Sequence, residues 1–477
     1  MRIDRTSTRR ALLGAGALGA GAIAMNSMLP SWNFLRSSLG GEPSLNVDNP
    51  LAVQAPHFEP KAKRVVLLHM LGGASQLDML DYKPKLQQYD RQPCPEEICG
   101  NARFAQIRGV PHLLGSPYAF AQHGQSGTEV SELLPHLAEI VDDITVIKSM
   151  QSDQINHAPA QLLFHTGFFR YGRPSIGAWV ARGLGTENQN LPAYVVLRSG
   201  GFLGAGTGLW SSGFLPSVYR GVEFRSGGDP VFFLTDTEGI DRSGRRRILD
   251  TISALNSEHF ETAGDPEIVA RNSQYELAYR MQTSIPELME LEKEPESVRE
   301  MYGVKLGEAS YASNCLLARR LLERGVRFVE LFDGDWDHHL QIYDQLPGKC
   351  AQIDQASAAL VTDLRQRGLL EDTIVIWCGE FGRTPLAQGG FDIPGRDHHP
   401  DAFSIWMAGG GIQAGLTYGR TDDLGYSVVE NPVPVHDLQA TILHLLGFDH
   451  RKLTYRFQGR DFRLTDVAGE LVPGIMA

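Results

Sequence analysis

Cysteine, positive charge and long apolar runs are all scarce in this chain. Five cysteines among 477 residues are too few for a disulfide scaffold, the device of small secreted domains with thin cores. Cys94 and Cys99 stand close enough in sequence to pair in an oxidising compartment. Cys315, Cys350 and Cys378 fall in apolar helix-like or strand-like runs, where a thiol behaves as a small hydrophobe. With 44 Lys and Arg against 56 Asp and Glu, the formal charge is −12. That balance excludes a general nucleic-acid binder or a binder of anionic membrane, since both need basic surface. It leaves room for an anionic substrate, because a bound metal reverses the sign locally. No internal repeat is visible.

One apolar run stands apart. STRRALLGAGALGAGAIAM pairs Arg9 and Arg10 with a Gly/Ala-rich stretch reaching Met25, and Ala22 and Ala24 offer a small-residue cleavage site. The pattern predicts a twin-arginine export signal over residues 1–30 and a periplasmic or extracellular mature protein. The run is short for a bilayer span, so no stable membrane insertion is expected once it is removed. Residues 31–62, rich in Pro, Ser and Asn without periodicity, read as a linker. Residues 63–477 are then expected to form one catalytic domain with a helical insertion at 241–325.

What remains alternates between strand and helix patterns. RVVLLHM (64–70), ITVIKSM (144–150), AYVVLRS (193–199), VRFVELF (326–332), TIVIWCG (373–379) and the start of FSIWMAGGG (403–411) are short apolar runs bounded by Gly and Asp, which are strand signals. Helical spacing appears in 131–143, 175–184, 435–449 and much of 243–325. This order predicts an α/β fold with a mostly parallel central sheet flanked by helices. The Gly- and aromatic-rich stretch 200–228 has no period and is expected as an irregular insertion facing the substrate.

Chemistry-bearing residues collect where strands should end. DGDWDHH carries Asp337 and His339, which share one face of an extended segment while His338 points away. GEFGRTP carries Glu380 and Arg383, the latter a planar fork suited to an oxyanion. GRDHHP carries Asp397, His398 and His399 in succession. Earlier turns add Ser75 and Asp78 after two glycines, and a loop carrying Asn156 and His157 that turns into a short helix at Pro159. Open α/β sheets bind ligands at the carboxyl ends of their strands. The mixture of imidazoles and carboxylates is a donor set for a divalent metal. Taken singly each cluster has a plain structural reading: a helix-capping loop, an internal Glu–Arg pair, a core histidine. Together they predict a shared metal site.

The quoted stretches also carry a resemblance. LLFHTG after HAPAQ, the strand TIVIWCGEFG, and the late helix VHDLQATILHLLGFD resemble sulfatases and other alkaline-phosphatase superfamily enzymes. GGASQLDMLDYKP, NHAPAQLLFHTG, GRPSIGAWV, WDHH, GEFGRTP and GRDHHP resemble, over nearly the whole chain, an exported sulfatase-like family known as domain of unknown function 1501. The resemblance implies the alkaline-phosphatase type of fold. It implies that Glu380, one of His398 and His399, and the pair Asp337 and His339 are metal ligands. His157 falls at the superfamily's nucleophile position, where sulfatases use a modified Cys and phosphatases a Ser or Thr. The acidic residues usual after the first strand are replaced by Leu71, Gly72 and Gly73, with Asp78 the nearest substitute. Formylglycine chemistry is therefore not expected.

The expected activity is metal-dependent hydrolysis of phosphate or sulfate esters, small-molecule or polysaccharide, by metal-activated water. His157 is expected as a ligand, with attack by its imidazole or by Ser75 in reserve, and Arg383 as the oxyanion partner. Zinc or manganese suits the histidine content better than calcium, which prefers all-oxygen shells. The rival is a lapsed enzyme kept as a carbohydrate- or partner-binding protein. A metal-carrying transferase or lyase is a third reading.

Overall fold

Seven residues, RVVLLHM, form strand β1 (Arg64–Met70), buried from Val65 onward. Side chains alternate between the faces of a strand, and here both faces are covered. Val66, Leu68 and Met70 enter one hydrophobic core; Val65, Leu67 and Leu71 enter another. Near-continuous apolar runs of this kind suit the middle of a parallel sheet.

The computed structural model describes residues 49–99, 104–201, 204–225, 230–231 and 239–477. The export signal expected at 1–30, and most of the linker, lie outside the described residues. After β1 come β2 (Ile144–Gln151), α1 (His157–Thr166), α2 (Ile176–Leu184), β3 (Tyr194–Ser199), β4 (Val222–Phe224), α3 (Arg242–Ala263), α4 (Pro266–Met289), α5 (Tyr311–Glu323) and β5 (Phe328–Asp333). They are followed by α6 (Ile342–Gln366), β6 (Thr373–Cys378), β7 (Gly382–Gln388), β8 (Gly395–His399), β9 (Phe403–Ala408), β10 (Leu416–Tyr418), β11 (Val433–Pro434) and α7 (Val435–Leu445).

Nine of these strands make one sheet in the order β10-β2-β9-β6-β1-β5-β3-β4, with β11 also paired to β2. Every pairing is parallel except those of β9, which runs antiparallel to both β2 and β6. Helices α5 and α6 cover one face through Cys315, Leu316, Leu360 and Val361. Helices α1, α2 and α7 cover the other through Leu162, Phe164, Trp179, Leu438 and Ile442. The protein is thus an α/β fold with a mostly parallel central sheet between helices. Among the described residues no helix is long and apolar enough to cross a membrane.

Four local readings of the sequence need revision or detail. The helix expected over 131–143 begins only at Pro135 and ends at Glu139. A proline ring clashes with the carbonyl four residues back, so a helix cannot run through from Ser131. Of the stretch 241–325, α3 and α4 form a hairpin, each capped by an Asp that accepts from a backbone N–H, Asp241 from Gly244 (2.7 Å) and Asp265 from Glu267 (2.9 Å). α5, by contrast, lies on the sheet as part of its cover. Within the stretch 200–228, expected as an irregular insertion, the described residues Leu209, Trp210 and Tyr219 are buried in the core of the α1/α2 face. Cys94 and Cys99 are joined in a disulfide, their Cα atoms 6.3 Å apart, and the other three cysteines are free and buried.

Candidate metal centre

The carboxyl ends of β1, β2, β5 and β6 converge on one edge of the sheet, and each is followed by a turn that delivers a polar side chain. The turn after β2 leads into α1, whose first residue is His157. Asp337 and His339 follow β5. His398 comes from β8, which pairs with β7 as an antiparallel hairpin beyond the sheet edge. Ligand atoms of these four residues all lie within 4.8 Å of one another.

The hydrogen-bonding partners of the three imidazoles set their orientation. Nδ1 of His157 meets Glu380 Oε1 at 2.8 Å. Nδ1 of His339 meets Gln388 Oε1 at 2.6 Å, and Nδ1 of His398 meets the Ile155 carbonyl at 2.8 Å. Each partner is an acceptor, so each Nδ1 carries a proton. These are the outer partners that metal-ligating histidines use to fix their tautomer. All three Nε2 atoms face Asp337: 3.1 Å from His157 to Oδ2, and 2.9 and 3.3 Å from His339 and His398 to Oδ1.

Two details test whether a cation fits. Nε2 of His157 is buried and faces Asp337 Oδ2 at 3.1 Å. Nε2 of His339 lies 3.0 Å from Nε2 of His398, and both turn toward Asp337 Oδ1. A cation would take the place of the protons that these atoms share. Three nitrogens and a carboxylate are a donor set for zinc or manganese, not for calcium.

Charge is distributed accordingly. Burial opposes ionisation of Asp337, but hydrogen bonds from His157, His339 and His398 and the Arg383 charge hold it well below the usual carboxylate range. Burial likewise opposes a charged His157, yet Asp337 and Glu380 outweigh it and push the pKa up to about 9. His398 is pushed down, chiefly by burial. His338 turns away into the protein, where burial and then Arg383 bring it to about 4.

The remaining expected site residues are placed differently. Glu380 is fully buried behind His157. Its oxygens accept from Gly72 N (3.0 and 3.2 Å), Gln161 Nε2 (3.0 Å) and the two histidines His157 and His69, so it orients a ligand from outside the four-residue cluster. Asp78 forms a buried ion pair with Arg396 (2.8 Å), and the Ser75 hydroxyl donates to Asp78 at 2.5 Å; neither joins the cluster. Asp397 accepts from the backbone N–H groups of Gln106, Ile107 and His398. His399 points the other way, toward the Tyr426 carbonyl. The alternation of a strand explains the split between His398 and His399.

Arg383 is not a free fork for an oxyanion. It is fully buried, and its guanidinium donates to the carbonyls of Gly72, Gly73 and Arg396 and to Asp337 Oδ1 (2.5 Å). It ties the turn after β1 to Asp337. Gly72 is the other half of that tie. Its φ of +118° suits glycine, and a Cβ there would lie 2.6 Å from Asp337 N. Gly72→Ala is expected to lower stability by at least about 2 kcal/mol, read from the denaturant midpoint, and to weaken metal uptake by moving Asp337.

Several contributors are invisible to motif reasoning. Gln106, Gln161 and Gln388 look like ordinary loop and helix residues, yet Gln106 Nε2 sits 3.1 Å from His339 Nε2. His69 and His165 are fully buried; their signal is a lone imidazole inside an apolar run, in RVVLLHM and in LLFHTG.

Fold and site together define an α/β protein with a three-histidine, one-aspartate cluster at the carboxyl edge of its sheet. The chain belongs to the family described as "Protein of unknown function (DUF1501)", whose model matches residues 62–476. No curated protein matches it. Among solved structures it is similar to the PsFucS1 sulfatase from Pseudoalteromonas sp., at 11% identity and a TM-score of 0.33 over 81% of this chain and 68% of that one. It is also similar to a protein in the alkaline phosphatase superfamily from Vibrio parahaemolyticus, at 12% identity and TM-score 0.35 over 87% and 74%. The alkaline phosphatase from the Antarctic bacterium TAB5 matches at 9% identity and TM-score 0.29 over 81% and 98%.

Proposed function

We propose that this protein is an exported, metal-dependent hydrolase of phosphate or sulfate esters. The observation that carries the metal is the convergence of His157, Asp337, His339 and His398, whose ligand atoms all lie within 4.8 Å of one another. The ester class rests on the sequence resemblance, and export on the paired arginines near the N-terminus.

In this reading His157, Asp337, His339 and His398 hold the ion. Bound there, it supplies Lewis acidity to an ester oxygen and to the attacking water. The chain's own groups do the rest. Glu380, Gln388 and the Ile155 carbonyl keep the three Nδ1 protons in place. Phe381 lies against the rings of His157 and His398, with centroids 5.1 and 4.6 Å away, and excludes water from that side. Asp337 is partly exposed and marks the open side. In this reading the attacking group is water, and the Ser75 hydroxyl is engaged with Asp78.

Purified protein is expected to hold about one zinc or manganese ion per chain. Removing it with a chelator is expected to end turnover of a chromogenic phosphate- or sulfate-ester panel and to lower the melting temperature, because a ligand that binds only the folded state stabilises it. Re-addition restores both. Metal-free protein that neither takes up metal nor turns over any ester would defeat the proposal in favour of a binding protein.

A further inference from the structure

Behind the candidate centre a line of polar side chains runs through the apolar core and ends in it. It starts at Tyr194 of β3, whose hydroxyl donates to Glu330 Oε2 of β5. Glu330 Oε1 lies 2.7 Å from His165 Nδ1 of α1. His165 Nε2 is 3.1 Å from His69 Nδ1 of β1, and His69 Nε2 is 3.2 Å from Glu380 Oε2. Glu380 Oε1 completes the line at His157 Nδ1, 2.8 Å away. Glu330, His165, His69 and Glu380 all have zero exposure.

Such a line is costly as mere filling. Desolvating a carboxylate costs several kcal/mol, and apolar residues of similar volume commonly serve a core as well or better. Its surroundings are Phe164, Phe332 and Trp210, so an apolar alternative at His69 and His165 would pack. What the polar line provides, and leucines would not, is direction. A carboxylate held by one imidazole, two backbone contacts from Gly72 and the Gln161 amide cannot rotate, and so the ring that donates to its other oxygen cannot rotate either.

We propose that His69, backed by His165 and Glu330, is a positioning residue for the metal centre: through Glu380 it fixes the ring of His157 with Nε2 turned toward Asp337. This rests on the reading of the four-residue cluster as a metal site. Loss of such an outer partner costs about 10–100-fold in metal affinity.

The test compares wild type, His69→Leu and His69→Gln. Three measurements are made: zinc affinity by chelator competition, the visible d–d bands of the cobalt-substituted protein, and the melting temperature of the metal-free form. His69→Leu is expected to bind zinc about 10–100-fold more weakly with altered cobalt bands. His69→Gln, which keeps a donor for Glu380, is expected to recover most of the affinity and the wild-type spectrum. A filling role alone would shift the metal-free melting temperature and leave affinity and bands unchanged in both variants, and that result overturns the positioning role while leaving the metal site standing. Wild-type protein that binds neither zinc nor cobalt overturns the metal site itself, and the positioning role with it.

Discussion

Asp337→Asn is expected to remove metal binding and to reduce ester turnover to background. The carboxylate is the anionic member of the cluster, in contact with His157, His339, His398 and Arg383. An amide there would aim N–H donors at the cation it should attract. A bound metal contributes several kcal/mol of transition-state stabilisation, so the loss in turnover is about a thousandfold or more. The substitution also leaves the buried Arg383 without its charged partner, a defect of up to about 3–5 kcal/mol, and the variant needs a companion. His398→Ala keeps the Asp337–Arg383 pair and should retain a near-wild-type metal-free melting temperature while losing the metal. Metal content by elemental analysis, with turnover on the same samples, decides the matter. Full metal occupancy and activity in either variant would refute the four-ligand assignment.

The second large effect is on pH. In the metal-free protein His157 keeps its proton up to about 9, because Asp337 and Glu380 outweigh its burial. A metal has to displace that proton. Affinity should therefore rise about tenfold per pH unit between pH 6 and 9, about a thousandfold in all, and level off above. Calorimetry in buffers of different ionisation enthalpy should show about one proton released per metal bound near pH 7.5. Stability of the metal-free protein should slope the other way. A raised imidazole pKa stabilises fully below the unfolded value near 6.5, and that contribution fades as pH rises through about 9. A flat affinity profile across this range would mean that His157 is not displaced from its proton and does not ligate.

Much of the fold was legible because parallel strands announce themselves. VVLL and IVIW are apolar on both faces, and the structure buries them on both faces. The two-strand excursion at 382–399 was not legible as such. GRTPLAQ and GRDHH are mostly polar, and Arg–Asp and backbone bonds bury them, with Leu386 entering a small apolar cluster. That hairpin separates His398, which faces the cluster, from His399, which faces Tyr426. Adjacent histidines look interchangeable until a strand assigns them opposite sides. Glu380 and Arg383 were visible as charged residues at a strand end, but sequence cannot tell a ligand from the group that orients a ligand. Only the distances from Glu380 to His157, His69 and Gly72 make that distinction. Asp78 failed as a ligand for a similar reason: its guanidinium partner, Arg396, lies more than three hundred residues away in sequence.

Strand β2 bonds within the sheet to β9, β10 and β11, and all three arrive after residue 400. A ribosome that has made the first three-quarters of this chain has therefore produced the helix bearing His157 with nothing to anchor the strand that leads into it. Until the last quarter emerges, β2 presents bare amide edges to its surroundings, and bare edges recruit other chains. Premature termination or C-terminal clipping before that point should yield insoluble protein, and not a smaller folded one.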